Sequence, residues 1–150
     1  MTAIPRAALI FGPAGLIPLV WGAFRQLYTA LGDWAIAVFG PRFVGPYVSL
    51  SYGTVILAFM SGVLWGFATQ ARASVAAISY GRSVLPALWA FLFGGGGPQS
   101  AARWLVGGFV GLLGLDFVFW RHRLVPDWWM QLRVMVTAAV LVCLAIPALV

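Results

Sequence analysis

Five long runs without a charged side chain divide this sequence, and nearly all of its charges lie between them. The runs cover residues 7–24, 43–71, 83–102, 104–115 and 134–150. Crossing the hydrocarbon core of a bilayer takes about 20 helical residues, and a chain of 150 residues cannot bury this much apolar surface in one soluble core. The sequence therefore predicts an all-α polytopic membrane protein, with residues 1–150 forming a single integral-membrane domain.

Proline, glycine and arginine residues set the limits of the predicted spans. We predict five transmembrane helices, at about residues 7–24, 47–69, 78–93, 104–120 and 132–150. Pro13, Gly15 and Pro18 should kink the first span. Arg72 and Arg82 are expected to flank a loop over residues 70–81. The uncharged stretch from Ser83 to Phe93 alone is too short to cross at ~1.5 Å per residue, so the third span must extend backward through Ile78 or forward into the glycines.

The segment between the first two spans is too interrupted to cross a membrane. Asp33 precedes a short apolar run, Trp34 to Phe39, and Gly40-Pro41 follows it. An aspartate can cap the first turn of a helix, and a short apolar helix suits the membrane–water interface. We therefore predict a short interfacial helix in this first loop.

The arginines indicate the orientation of the chain. Five spans place the termini on opposite sides of the membrane. One side would hold Arg6, Arg72, Arg82, Arg121, Arg123 and Arg133, and the other would hold Arg25, Arg42 and Arg103. Because cytoplasmic loops carry the excess of positive charge, we predict a cytoplasmic N-terminus and a C-terminus on the opposite side, which is the periplasm if the membrane is a bacterial inner membrane.

Small residues form candidate packing faces on two spans. They are Gly62 and Gly66 on the second span, with Trp65 as a further packing residue between them, and Gly107, Gly111 and Gly114 on the fourth. Helices in lipid associate through close contact at small residues rather than through the hydrophobic effect. We expect these faces to pack within the same chain. A partner protein and a substrate path are the alternatives.

Asp116 is the one carboxylate inside an apolar span, and an ionisable residue there suggests a function. It lies about 6 Å inside the boundary marked by Trp120 and Arg121. Arg133, at the start of the adjacent span, is its best candidate partner. We predict an ion pair that holds the fourth span to its neighbour. A proton or ion relay is the alternative.

The residue types needed for catalysis are scarce. The chain has no Glu, Lys or Asn, one histidine (His122) and one cysteine (Cys143). The sequence therefore lacks the residues for a pair of acid–base groups, a nucleophile elbow, a phosphate-binding loop or a metal cluster. The arginines form no basic stripe, so we expect no nucleic-acid partner. We predict no catalytic, metal or cofactor site.

Segments from most of the chain carry a family resemblance. Span one contains GPAGLIP over residues 12–18, span two contains YGTVILAFMSGVLWG over residues 52–66, and span five opens with PDWWMQLR over residues 126–133. Together they resemble the transmembrane-protein-69-like proteins, whose shared domain is of unknown function (3429). The chain departs from that pattern at Ser61, where a glycine is expected, and at Leu64, where many members carry a basic or polar residue. The resemblance implies a membrane protein of a type found in bacteria and mitochondria, without an established activity.

Scarce catalytic groups and glycine-lined spans favour a function by binding. We expect a non-enzymatic accessory subunit or assembly factor of an energy-transducing complex, respiratory or photosynthetic, in contact with the lipid bilayer and another membrane protein or complex. The alternatives are a small transporter or channel, with the broken first span and Asp116 lining its path, and a lipid-binding or lipid-modifying protein.

Overall fold

The computed structural model describes residues 3–28, 30–41 and 46–149, apart from the side chain of Leu31. Within these residues the helices are α1 (Arg6–Ala14), α2 (Ile17–Leu27), α3 (Ala30–Phe39), α4 (Pro46–Ala68), α5 (Ala73–Ser83), α6 (Leu85–Phe93), α7 (Pro98–Arg121) and α8 (Trp129–Leu149). Five stretches are long and apolar enough to span a membrane: Arg6–Leu27, Pro46–Ala68, Ala73–Phe93, Pro98–Arg121 and Trp129–Leu149. The all-α polytopic fold is therefore confirmed.

The first span is broken between α1 and α2, as its prolines and glycine predict. Pro13 lies inside α1, and Pro18 lies in the first turn of α2. Between them, the backbone N–H of Leu16 donates to the carbonyl of Pro13 at 2.9 Å. Proline has no backbone N–H. The regular helical ladder therefore gives way to this tighter turn, and the span continues as two joined segments.

The third span begins five residues earlier than the predicted residue 78, and the predicted loop over residues 70–81 is wrong. The helix starts at Ala73, so most of that segment is α5. The loop was expected to extend to Arg82. That arginine instead lies inside the span, about 13 Å from Ala73 along the helix axis. The extension runs backward, and α6 ends at Phe93 before the glycines.

A hydroxyl from the neighbouring helix α4 forms hydrogen bonds with the backbone groups left free at the break between α5 and α6. In a regular helix the N–H of Ala87 would bond the carbonyl of Ser83. Instead the Ser61 hydroxyl donates to that carbonyl, and it accepts from the N–H of Ala87 at 3.3 Å. Pro86, in the first turn of α6, adds to the local irregularity. Hydroxyl side chains satisfy freed backbone groups at such breaks in membrane helices. This gives a physical role to Ser61, where the resembled pattern has glycine.

The remaining spans lie close to their predicted limits. The second span starts one residue before its predicted start, and the fifth starts three residues before its own. The predicted end of the fifth span, Val150, lies outside the described residues. The fourth starts six residues early, at Pro98. Proline is favoured in the first turn of a helix, because its missing N–H would have no intrahelical partner there.

The first loop contains the predicted short helix, but Asp33 does not cap it. The helix α3 begins at Ala30, so Asp33 lies in its first turn, where a negative charge is favourable. The helix ends before Gly40, whose φ of 82° is one that glycine adopts without strain. Its predicted place at the interface stays a prediction.

The helix α7 lies at the centre of the bundle and packs most extensively against α8. The core is built from apolar side chains of α4, α7 and α8: Leu57, Leu64, Phe109, Leu112, Phe119 and Leu144. At one end of the bundle, Gly12 lies against Leu132. At the other, Arg103 donates to the carbonyl of Ala148 at 3.2 Å. The two ends of the described chain therefore lie at opposite ends of the bundle.

Candidate functional site

A buried charge cluster joins α7 to α8. Arg133 donates from Nε to Oδ2 of Asp116 at 2.7 Å, which is the predicted ion pair. Trp129 donates from Nε1 to Oδ1 of the same carboxylate at 2.9 Å. Asp116 is 0% exposed and Arg133 is 6% exposed. Both oxygens of the buried carboxylate are therefore hydrogen-bonded, as a charge removed from water requires.

The end of α7 determines how this cluster assembles. The N–H of Leu124 bonds the carbonyl of Phe119 at 3.0 Å, and the N–H of Arg123 bonds that of Trp120 at 2.9 Å. With Arg123 at φ 56°, this is the Schellman arrangement that ends many helices. Leu124 is buried and anchors the turn. The chain then reverses into α8, which brings Trp129 and Arg133 back beside Asp116.

Trp129 is the member of the cluster that the sequence analysis missed. It precedes Arg133 by four residues, so both side chains lie on one face of α8, and the Arg133 guanidinium carbon is 6.0 Å from the indole centroid. Given the pairing of Arg133 with Asp116, the four-residue spacing in the sequence indicates that Trp129 faces the same carboxylate.

The cluster is suited to holding helices together rather than to proton transfer. Among the described residues, the Asp116 carboxylate bonds only Trp129 and Arg133, and both donors are on α8. Because Asp116 is 0% exposed, the acceptor positions that remain on its oxygens face protein atoms rather than water. The geometry therefore supports the pairing interpretation over the alternative of an ion relay.

The glycine faces do not pack within the chain as predicted. A Cβ built on Gly62, Gly66, Gly111 or Gly114 would meet no described atom within 4 Å. At Gly107 it would reach only Trp89, at an ordinary 3.4 Å. Trp65 is 49% exposed, with its ring centroid 4.7 Å from that of Tyr80. Packing within the chain is therefore wrong as the role of the four open glycines, whereas Gly107 and Trp65 do contact their own chain.

Other glycines make the close approaches inside the bundle. A Cβ on Gly108 would lie 2.8 Å from both Leu57 and Trp89. On Gly53 it would lie 3.2 Å from Leu105, and on Gly22 it would overlap the Ser49 hydroxyl. These three glycines pack the described helices together. The sequence contains no repeat that distinguishes them from the open ones.

Arg82 lies on the third span at about the depth of the open glycines of α7. Val84 keeps right-handed helical dihedrals, so Arg82 and Trp89, two turns apart, share one side of the third span. Trp89 contacts Gly107 and Gly108. Because the third and fourth spans run antiparallel, Arg82 lies about two turns from the Trp89 contact along the bundle axis, at about the depth of Gly114. Arg82 is half-buried, and its guanidinium makes no ion pair or hydrogen bond within the described part of the chain.

Comparison with known proteins identifies a family without an assigned activity. Among the described residues no three His, Cys, Asp or Glu side chains lie close enough together to hold a metal ion. No curated protein and no solved structure matches the chain. A family model described as a protein of unknown function (DUF3429) matches residues 4–149. That match covers nearly the whole sequence, and the chain belongs to the DUF3429 family.

Proposed function

We propose that this protein is a non-catalytic accessory subunit or assembly factor of an energy-transducing membrane complex and acts by helix packing. The observation that carries the proposal is the open glycine face on α7, formed by Gly111 and Gly114, with Arg82 at about the same depth and without a partner among the described residues. Glycine on a lipid-facing surface contributes little apolar contact, whereas it allows a second helix to approach closely. Gly62 and Gly66 provide a second such face on α4.

Arg82 indicates the chemistry of the partner. A cation near the middle of a span is costly in lipid and is normally paired or placed toward a polar cavity. Arg82 has no such partner within the described residues of its own chain. A transmembrane helix that packs on Gly111 and Gly114 and carries an acidic side chain at the same depth would satisfy it. The proposed partner is therefore a membrane protein with a carboxylate inside one of its spans.

The proposed location is the bacterial inner membrane, with the N-terminus in the cytoplasm and the C-terminus in the periplasm. With Arg82 inside a span, the predicted six arginines against three become five against three, which still favours that orientation. The bacterial and mitochondrial distribution implied by the family resemblance supports a respiratory or photosynthetic complex.

Native electrophoresis after extraction in a mild detergent tests the proposed assembly. The wild-type protein should migrate with a large complex. Gly111→Leu should release it, because the new side chain fills the gap that a partner helix needs while meeting nothing in its own chain. Val110→Leu, at an exposed neighbouring position, is the matched control and should leave the complex intact. Wild-type protein that migrates as a small species in several mild detergents would contradict the proposal.

Arg82→Gln tests the proposed charge pairing within the same assembly. It should weaken co-migration, and an Arg82→Lys variant should retain more of it, because the lysine keeps a positive charge. Equal co-migration of wild type and Arg82→Gln would rule out an acidic partner at this depth.

A lipid-binding protein is the second candidate, because a cavity opens between the first span, α4 and α8. The transporter or channel alternative has less support. Asp116, which would line its path, is fully buried and bonded at both oxygens.

A further inference from the structure

A cavity of about 310 Å³ lies between the two halves of the first span, α4 and α8. Its wall is almost entirely apolar and rich in aromatic rings. Lining residues include Phe11, Leu16, Phe59, Trp128, Trp129 and Arg133. Ligand pockets in proteins begin at about 300 Å³. Phe11 and Phe59 are 75% and 64% exposed on the lipid-facing side, so the cavity opens toward the bilayer.

Arg133 supplies the polar group in this wall. A guanidinium has five N–H donors, and within the described residues only the Nε–H of Arg133 is used, on Asp116. The Nη2 atom is buried without a hydrogen-bond partner. Nη1 is not enclosed in this way and makes no hydrogen bond among the described residues, so an acceptor on a molecule bound in the cavity can reach it.

The charge of the cluster limits which acceptor fits. Asp116 already neutralises Arg133 at 2.7 Å, so a second anion would leave a net negative charge in an apolar cavity. A neutral carbonyl oxygen accepts the same hydrogen bond without that cost. Aromatic walls favour a flat ring, because rings pack on one another with additional stabilisation. The mouth on the lipid side suits a molecule that is dissolved in the bilayer.

We propose that this cavity binds a neutral, carbonyl-bearing ring with an apolar tail, of the quinone class. Arg133 donates to a ring carbonyl from Nη1, Trp128 and Trp129 contact the ring, and the tail leaves between Phe11 and Phe59. Asp116 keeps the guanidinium in place through Nε. This is a binding site distinct from the outer face of α7, and it stands whether or not that face binds a partner.

Photoaffinity labelling tests the site in the intact protein. Purified protein in phosphatidylcholine nanodiscs is labelled with an azido-benzoquinone carrying an alkyl tail, with decylubiquinone as the competitor. Labelled peptides should come from the first span, α4 and the start of α8, and decylubiquinone should suppress the labelling. Labelling spread over lipid-facing positions of all spans would overturn the proposal. So would equal suppression by a hydrocarbon of the same length without a carbonyl.

Two variants separate the site from general hydrophobic partitioning. Val136 lines the cavity, and Val134, on the same helix, is exposed. Val136→Trp should lower labelling at least about tenfold, whereas Val134→Trp should leave it unchanged, a difference of ~1.4 kcal/mol in binding. Equal labelling of the two variants, or retention of a tightly bound phospholipid in the cavity by native mass spectrometry, would contradict a quinone site.

Arg133→Lys tests the hydrogen bond itself. Lysine keeps the positive charge opposite Asp116 but removes the guanidinium fork. We expect a several-fold loss of quinone affinity in the variant protein that folds. Unchanged affinity in a folded Arg133→Lys protein would overturn the role of Arg133, and the valine pair tests the site if this variant fails to fold.

Discussion

Both faces of α7 carry glycine, but the glycine on one face is packed against neighbouring helices and the glycines on the other are open. On the inner face, Gly108 lies where a Cβ would come within 2.8 Å of Leu57 and Trp89, and Asp116 is bonded to α8. On the outer face, Gly111 and Gly114 meet nothing within 4 Å among the described residues. A glycine pattern therefore predicts that a close approach is possible. Only the rotation of the helix in the bundle shows whether its own chain makes that approach.

The largest effect should come from breaking the ion pair on the inner face. Asp116→Asn leaves Arg133 as a buried charge without a counter-ion, which should lower the free energy of unfolding by about 3 kcal/mol. Unfolding by SDS titration in mixed micelles measures this. The double variant Asp116→Leu with Arg133→Met should recover part of the loss, because it leaves no unpaired charge. A double variant less stable than Asp116→Leu alone would argue against the pair.

The next effect separates the two faces directly. Gly108→Ala should destabilise the fold by about 1–3 kcal/mol, because its methyl group overpacks against Leu57 and Trp89. Gly111→Ala is the matched control, three residues along the same helix. The same SDS titration should show the loss for Gly108→Ala alone. Equal losses for both variants would show that the inner and outer faces have been assigned incorrectly.

A smaller effect should follow from the hydroxyl bridge between α4 and the third span. Ser61→Ala leaves the Ser83 carbonyl and the Ala87 N–H without their bridging hydroxyl. We expect a loss of about 1–2 kcal/mol in the free energy of unfolding. Ser51→Ala, at an exposed position of the same helix, should have almost no effect. Hydrogen exchange at Ala87 should also accelerate in Ser61→Ala, and unchanged exchange there would contradict the bridge.

The smallest effect should come from the outer face, and its sign should be opposite. Gly111→Ala fills open space and replaces glycine by the best helix former, which is worth up to about 1 kcal/mol in a helix interior. Stability of the purified protein should therefore stay constant or rise slightly. A clear loss of stability would mean that Gly111 packs within the monomer after all.

Hydropathy and charge were enough to predict the spans, except where a charge lies inside one. The fourth span starts six residues before its predicted start, because Arg103 was taken as a boundary, and the third starts five residues early, because a loop was expected up to Arg82. The pairing of Asp116 with Arg133 could be predicted, since a lone carboxylate in an apolar span needs a nearby cation. The outward direction of Gly62 and Gly111, and the cavity beside Arg133, depend on how the helices are rotated and on where the first span breaks. The rotation of the helices and the position of the break depend in turn on contacts between segments that are distant in the sequence.

The most direct test of the account measures fold stability and assembly together for one variant on each face of α7. Gly108→Ala should lower the SDS concentration of unfolding, while the protein that remains folded still enters the large complex on a native gel. Gly111→Leu should leave unfolding unchanged and lose the complex. If Gly111→Leu unfolds as readily as Gly108→Ala, or if it assembles like wild type, the outer face of α7 is not a partner-binding face.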